Sequence, residues 1–216
     1  MSFVLPRVYP ILDVSFLPAP SAARATVLDR LGRSLADAGV TLLEYRDKTG
    51  SDAQVFADAR VLRAAMPGRQ VRLILDDRVD VALAAGFDGA HVDAGDLPVE
   101  AARRLMGERA TIGTSASGKA ESIEALESDA DYIAFGPVFP TTTKQTAASP
   151  IGIEGVRRFR SVAGPEARLV AAAGITLETA PAILEAGADA VAVAAAIFRC
   201  DDPAAEFQKW MKVMGR

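Results

Sequence analysis

The sequence predicts a (β/α)8 TIM barrel, formed as a single domain over residues 1–216. Short apolar runs alternate with longer Ala/Leu-rich amphipathic stretches, and this alternation repeats eight times. Each strand-then-helix unit is about 25 residues long, which suits a barrel near the small end of its size range. The alternative is an open doubly wound sheet, which normally has fewer strands and a Gly-rich turn after the first strand. This chain has Leu12-Asp13-Val14 there.

Each predicted strand is a run of four or five mostly apolar residues, a length typical of strands and too short for helices. The predicted strands span residues 8–12, 41–45, 71–75, 89–92, 110–113, 132–135, 168–172 and 190–194. The predicted helices span residues 21–38, 51–66, 78–85, 98–106, 119–127, 153–161, 176–186 and 202–213. Ser21 is the candidate N-cap of the first helix, the second helix begins at Ser51 or Asp52, and Gly39 and Gly86 end their helices.

The composition favours a small-molecule partner. Half of the residues are apolar, the net charge is −4, and there is no basic run, so neither a nucleic acid nor an anionic membrane surface is expected as a partner. The N-terminal stretch lacks a cationic region followed by a long apolar core, and no later apolar run could span a bilayer, so a cytoplasmic location is expected. The oligomeric state is not fixed by the sequence, which is compatible with a homo-oligomer.

In a barrel of this class, chemistry is located at the carboxyl ends of the strands, and polar residues collect there in this sequence. After the second strand, alternation places Glu44, Arg46 and Lys48 on one face, so that a carboxylate and two cations point into the barrel mouth. The plainer interpretation is a solvated charged loop at the start of a helix.

Carboxylates follow the third and fourth strands, at Asp76, Asp77, Asp93 and Asp96. Such groups suit Mg²⁺, which binds one or two carboxylates together with substrate phosphates. The alternative is that Asp76, Asp77 or Asp96 caps the next helix, a role compatible with metal binding. His91, the only histidine, has no neighbouring Cys or His at zinc-ligand spacing and is interpreted as a buried strand residue.

Small and hydroxyl residues follow the remaining strands, as a phosphate site requires. Ser115 lies near the tip of the fifth strand and is a candidate ligand, whereas Ser117 is interpreted as a helix cap. The sixth strand leads through Gly136-Pro137 into three threonines, 141–143, and Lys144. Small residues after the seventh and eighth strands would let a phosphate approach backbone N–H groups, although barrel interiors also need small residues for packing.

Taken together, the segments LLEYRDK, LILDDRVDVALAAGFDGAHVDAGDLP, TIGTS, ADYIAFGPVFPTTTK, SPIGIEGVRRF, AAAGIT and GADAVAVAAAIF resemble thiamine-phosphate synthases. Those barrel enzymes join hydroxymethylpyrimidine diphosphate to thiazole phosphate with loss of pyrophosphate. The resemblance covers nearly the whole chain, and FGPVFPTTTK is its most specific segment, followed by DDRVDVALA.

The resemblance implies roles for individual residues. The pyrimidine diphosphate would be held by the expected catalytic residues, Arg46, Lys48, Ser115 and Lys144. The ligands of Mg²⁺ would be Asp77 and Asp96. The thiazole phosphate would contact Thr141, Thr143, Gly174 and the backbone at Ala194 and Ala195. The implied chemistry is dissociative: pyrophosphate leaves, a pyrimidine-methyl cation forms and the thiazole nitrogen captures it, which requires charge neutralisation more than acid or base catalysis.

The chain departs from the usual family pattern at substrate-binding positions. Glu44 stands where the family usually has Gln, and Asp76 where it usually has Asn; each adds negative charge beside a diphosphate. Ala173 and Ala195 replace the usual glycines and hydroxyl residues.

These departures leave an alternative open: a diverged paralogue that acts on other phosphorylated substrates, either as a tautomerase-like isomerase or as a non-catalytic phosphate-binding barrel. A tautomerase-like isomerase would use a His shortly after the Ser of the fifth strand, where this chain has Ala116 and Ser117. A non-catalytic phosphate-binding barrel would be expected to lose the charged mouth residues, which are present here.

Overall fold

The computed structural model describes residues 3–67, 70–141 and 148–215, with the side chains of residues 119 and 120 excepted. The strands are β1 Val8–Asp13, β2 Leu42–Arg46, β3 Arg72–Asp76, β4 Gly89–Val92, β5 Thr111–Ala116, β6 Tyr132–Phe135, β7 Leu169–Ala172 and β8 Ala190–Val193. They form a closed parallel barrel in sequence order, β8 pairing with β1. The predicted (β/α)8 fold is confirmed.

An α-helix follows each strand, one short additional α-helix precedes the last of them, and a 3-10 helix, Val14–Phe16, lies between β1 and α1. The helices are α1 Ala22–Asp37, α2 Asp52–Ala65, α3 Val79–Ala85, α4 Val99–Met106, α5 Lys119–Glu127, α6 Gly152–Ala163, α7 Ala180–Glu185, α8 Ala195–Phe198 and α9 Pro203–Met214. The extra helix is α8, which begins directly after β8, where the sequence predicted only a loop. A short helix at this corner is common in barrels that bind phosphate.

The helix caps agree with the prediction only in part. The side chain of Ser21 accepts a hydrogen bond from the backbone N–H of Arg24, so the predicted N-cap is confirmed. Of the two predicted starts of the second helix, Ser51 is the N-cap, accepting from the N–H of Gln54, and α2 begins at Asp52. The capping roles considered for the aspartates after β3 and β4 are wrong, because Arg78 and Pro98 precede α3 and α4 and neither helix has a side-chain cap. Ser117 does not cap α5 either, since Gly118 occupies that position.

Strand residues divide between two layers according to their alternation. One set, which includes Tyr9, Leu42, Ile74, Tyr132 and Val170, forms a buried cluster of its own inside the barrel. The residues of opposite phase pack outward against the helices in a larger cluster. Side chains of the interior phase near the strand ends therefore point into the barrel mouth. No helix within the described ranges is long and apolar enough to cross a membrane.

Candidate active site

A cavity of about 370 Å³ opens at the carboxyl ends of the strands. The residues predicted for substrate binding that line it are Glu44, Arg46, Asp76, Ser115, Thr141, Gly174, Ala194 and Ala195. They come from six different strands or strand-end loops, so the sequence prediction that polar strand ends converge on one mouth holds for these residues. A cavity of this size and position is the usual location of a ligand in this fold.

Two cations at the end of β2 are held between carboxylates on neighbouring strands. Arg46 forms an ion pair with Asp13, its register partner at the end of β1, and its Nε lies 3.4 Å from Asp76 Oδ2. Lys48 Nζ lies 3.1 Å from Asp76 Oδ2 and also pairs with Asp77. Burial alone would lower the pKa of Lys48, but Asp76 and Asp77 outweigh this effect and raise it, so Lys48 stays charged.

The carboxylates of Asp76, Asp77 and Asp93 approach one another closely, with one oxygen of each within 4.8 Å of the others. Asp96 joins this group, because its Oδ2 accepts a hydrogen bond of 2.9 Å from the backbone N–H of Asp93. Burial raises the pKa of Asp96, and its contact with Asp77 raises it further. Asp77 adopts a left-handed backbone with φ of 61°, which is uncommon for a residue with a side chain.

These residues fit a hard divalent cation. Asp77 Oδ1 is buried and has no hydrogen-bond partner among the described residues. Several carboxylates placed together repel one another unless a cation compensates their charge, and oxygen ligands are those that Mg²⁺ prefers. Asp77 and Asp96, the predicted ligands, are adjacent here, and Asp76 and Asp93 offer further oxygens. The metal itself stays a prediction.

A continuous chain of hydrogen bonds lines the floor of the cavity. The Tyr9 hydroxyl donates to Glu44 Oε2 at 2.7 Å and lies 2.7 Å from the Tyr132 hydroxyl. His91 Nδ1 lies 3.2 Å from that Tyr132 hydroxyl, and His91 Nε2 lies 2.9 Å from Ser115 Oγ. Glu44 is buried, and this burial is the main reason that its pKa is raised to about 7. The floor can therefore hold a proton at neutral pH.

The β7–β8 corner supplies backbone rather than side chains. Ala173 and Gly174 both have left-handed backbones, with φ of 73° and 70°. On the other side of the corner, α8 begins at Ala195, and the first N–H groups of a helix have no partner within the helix. Small side chains at both places leave the backbone accessible to a ligand.

Gly174 is the position of this corner where a side chain is least tolerable. A Cβ there would lie 2.5 Å from the carbonyl oxygen of Pro140 and 2.6 Å from that of Phe139, both backbone atoms. Gly174→Ala should therefore lower the free energy of unfolding by about 2 kcal/mol and weaken phosphate binding. Thermal unfolding and a phosphate titration measure the two effects. Gly118→Ala, where a Cβ meets nothing within 4 Å, is the control: it should leave phosphate binding unchanged and cost no more than about 1 kcal/mol of stability, because Ala is a poorer N-cap than Gly.

Comparison with known proteins agrees with this geometry. The family model described as "Thiamine monophosphate synthase" matches residues 16–197. The chain belongs to this family. A thiamine-phosphate synthase of Agrobacterium fabrum is 43% identical over 182 residues, which are 83% of each chain. One from Chloroflexus aurantiacus is 44% identical over 165 residues, covering 76% of this chain and 74% of that protein. The solved thiamine phosphate pyrophosphorylase of Pyrococcus furiosus superposes with a TM-score of 0.80 at 28% identity, covering 96% of this chain and 95% of that one.

As a member of the thiamine monophosphate synthase family, the chain has most of its expected site residues in one place. Lys48, Asp77 and Asp96 do not line the cavity, but each lies close to Asp76 or Asp93, which do. Thr143 and Lys144 lie outside the described residues, so their roles stay predictions.

Several polar residues of the site were not predicted. Asp13 pairs with Arg46, and Tyr9 and Tyr132 form the floor of the cavity. In their own stretches of the sequence, nothing distinguishes these three from other strand residues. His91, interpreted as a buried strand residue, is buried, yet it also lines the cavity and contacts Ser115. The sequence did contain a signal for Tyr132, because Gly113 is a glycine inside a strand and such a glycine often marks the close approach of another group. A Cβ on Gly113, the register partner of Tyr132, would lie 2.1 Å from the Tyr132 ring.

Proposed function

We infer that this protein is a thiamine-phosphate synthase that condenses hydroxymethylpyrimidine diphosphate with thiazole phosphate and releases pyrophosphate. Membership of the family supports this function, and the arrangement of charged groups around the cavity supports it most directly. Paired cations, clustered carboxylates and an accessible backbone corner surround a single cavity. This arrangement suits two phosphorylated substrates that must lie side by side.

The cationic side of the cavity would receive the pyrimidine diphosphate. Arg46, Lys48 and Ser115 would donate to its oxygens together with Lys144, and they would stabilise the negative charge that grows as the C–O bond breaks. Pyrophosphate leaves with the bonding electron pair, and the methylene carbon becomes a cation shared with the pyrimidine ring. Mg²⁺, held by Asp77 and Asp96 with Asp93 beside them, would supply further neutralisation of the diphosphate charge.

The thiazole phosphate would bind on the opposite side. Thr141 and Thr143 would contact this phosphate together with Gly174 and the backbone at Ala194 and Ala195, which fixes the thiazole ring in the cavity between them. The lone pair of the thiazole nitrogen then forms the new C–N bond. Because the nucleophile is already neutral and unprotonated, this step needs position and charge compensation rather than a general base.

The two acidic departures from the family pattern are compatible with this chemistry. Asp76 lies between Arg46 and Lys48, so its charge is compensated by two cations before any substrate binds. Glu44 retains a proton up to a pH of about 7, because burial raises its pKa. A protonated carboxyl group offers both a donor and an acceptor, as the amide of Gln does. Neither change therefore requires a different reaction.

The direct test incubates the purified protein with both phosphorylated precursors and Mg²⁺ and separates the products by chromatography. We expect thiamine phosphate and pyrophosphate in equal amounts. Chelation with EDTA should stop the reaction and added Mg²⁺ should restore it. Arg46→Ala serves as the impaired reference, made and purified in the same way. Folded protein that forms no thiamine phosphate would contradict the function, and full activity in EDTA would contradict the metal requirement alone.

A further inference from the structure

We propose that Asp47, which lies between the two cations Arg46 and Lys48, is a positioning residue that fixes the β2–α2 loop for binding of the diphosphate. The proposal rests on the proposed function for the identity of the substrate. Its geometric basis does not depend on that function. Asp47 points away from the cavity, whereas both of its neighbours in the chain face the carboxylates of the mouth.

The Asp47 side chain is anchored below the loop by a buried cation. Its carboxylate has no exposed surface, and its Oδ2 lies 3.4 Å from Nη2 of Arg24, a residue of α1 that is 2% exposed. The same Arg24 nitrogen lies 2.5 Å from Asp58 on α2 and donates to the Tyr45 hydroxyl at 2.8 Å. The loop is thereby attached to two helices and to β2 through one guanidinium group.

The other oxygen of Asp47 shapes the loop itself. Asp47 Oδ1 accepts hydrogen bonds from the backbone N–H of Thr49 at 2.9 Å and of Gly50 at 2.7 Å, and a third from the Thr49 hydroxyl at 3.1 Å. This is the geometry of an Asx turn, which fixes the backbone immediately after Asp47. A Cβ on Gly50 would lie 2.4 Å from Asp47 Oδ2, so the turn closes tightly over the carboxylate.

Lys48 lies inside this turn, so the buried carboxylate of Asp47 can affect the site by fixing the backbone of Lys48. A lysine side chain has four rotatable carbon–carbon bonds, so a fixed backbone leaves fewer places for its ammonium group and reduces the entropy lost when an anion binds. Without Asp47, the loop would lose both its anchor and its internal turn. Lys48 would then be free to leave Asp76 and Asp77 and to turn towards solvent.

The chain offers a matched control in Asp58. Asp58 is buried to the same degree and shares Arg24 with Asp47, but it belongs to α2 and accepts no hydrogen bond from the loop. Asp58→Ala should lower thermal stability while leaving Arg24 paired with Asp47. A purely structural role for Asp47 would give the same result for both residues.

The decisive measurement is the binding of inorganic pyrophosphate with Mg²⁺, followed by calorimetry. We expect Asp47→Ala to weaken binding about tenfold and Asp58→Ala to change it less than about twofold. In the Lys48→Ala background, Asp47→Ala should retain less than about half of its effect in free energy. The proposal is overturned if Asp47→Ala binds within about twofold of the wild type, or if its effect persists in the Lys48→Ala background.

Asp47→Asn decides the case if Asp47→Ala does not fold. Asparagine keeps the oxygen that accepts from Thr49 and Gly50 but loses the charge facing Arg24, so we expect a weakening of about threefold, and unchanged binding overturns the proposal. In the synthase assay, Asp47→Asn should raise KM for the pyrimidine diphosphate and leave KM for the thiazole phosphate unchanged. If the wild type makes no thiamine phosphate but Asp47 still controls pyrophosphate binding, only the proposed function fails.

Discussion

Replacing Lys48 by alanine should lower kcat/KM for the pyrimidine diphosphate by about a hundredfold to a thousandfold. Lys48 Nζ lies 3.1 Å from Asp76, 3.9 Å from Asp93 and in contact with Asp77. Without it, these carboxylates face a highly charged diphosphate with Arg46 as the cation left at this strand end. Steady-state kinetics with the diphosphate as the varied substrate measure the effect.

The side chain of Lys48 is 34% exposed, and Arg46 still pairs with the buried Asp76 when Lys48 is removed, so the substitution should cost the fold little. The apparent melting temperature should stay within about two degrees of the wild-type value, which separates lost chemistry from lost structure. Lys209, paired with Glu206 on the exposed face of α9, is the matched control, and Lys209→Ala should keep full activity. A Lys48→Ala enzyme with kcat/KM within about threefold of the wild type would remove Lys48 from the mechanism.

Most of the fold follows from the sequence because strand length, helix length and capping residues repeat in phase around the chain. The predicted boundaries are wrong where no capping or turn residue marks the end of an element. The chain from Ala190 into α8 is almost uninterrupted in small and apolar residues, so the end of β8 and the start of α8 leave no mark. β5 runs on to Ala116, which pairs with Phe135 of β6. The Thr114 hydroxyl donates to the carbonyl of Val92 at 3.0 Å, which satisfies a polar residue within this buried strand.

The cations and carboxylates of the site could be predicted because parallel strands bring their carboxyl ends to one face. Side-chain alternation also predicts that Arg46 and Lys48 share a face, as the structure shows through their common partner Asp76. The floor could not be predicted in this way. Tyr9 and Tyr132 are separated by 123 positions and meet only when the barrel closes, so no local pattern relates them.

Replacing Glu44 by glutamine should make the protein more stable than the wild type at pH 8, by about 3 kcal/mol, and should leave the two equal near pH 4. Burial is the main cause that raises the pKa of Glu44 from 4.5 to about 7. The charge of His91 opposes this shift, and the charges of Asp76 and Asp93 add to it. An ionised Glu44 is therefore costly in the folded state.

The sign of the pH dependence follows from proton binding. Between the unfolded pKa of 4.5 and the folded pKa of about 7, Glu44 keeps its proton in the folded protein and loses it in the unfolded chain. The contribution to stability is fully present below 4.5 and is lost as the pH rises to about 7. Glutamine does not titrate, and its carbonyl oxygen can still accept the hydrogen bond from Tyr9.

Denaturant unfolding of both proteins across this pH range measures the difference between their free energies of unfolding. Groups that the substitution leaves unaffected titrate equally in both proteins, so their contributions cancel in this difference. A difference between the two proteins that does not vary with pH would mean that Glu44 ionises in the folded protein as it does in water.

Ionisation of Glu44 should also change substrate binding if Glu44 contacts the pyrimidine. Below pH 7 its carboxyl group can donate to a ring nitrogen and accept from an amino group, whereas the ionised form can only accept. KM for the pyrimidine diphosphate should therefore rise above pH 7 in the wild type and stay flat in Glu44→Gln, with KM for the thiazole phosphate unaffected in both. Parallel KM profiles in the two proteins would place the pyrimidine away from Glu44, whatever the stability measurement shows.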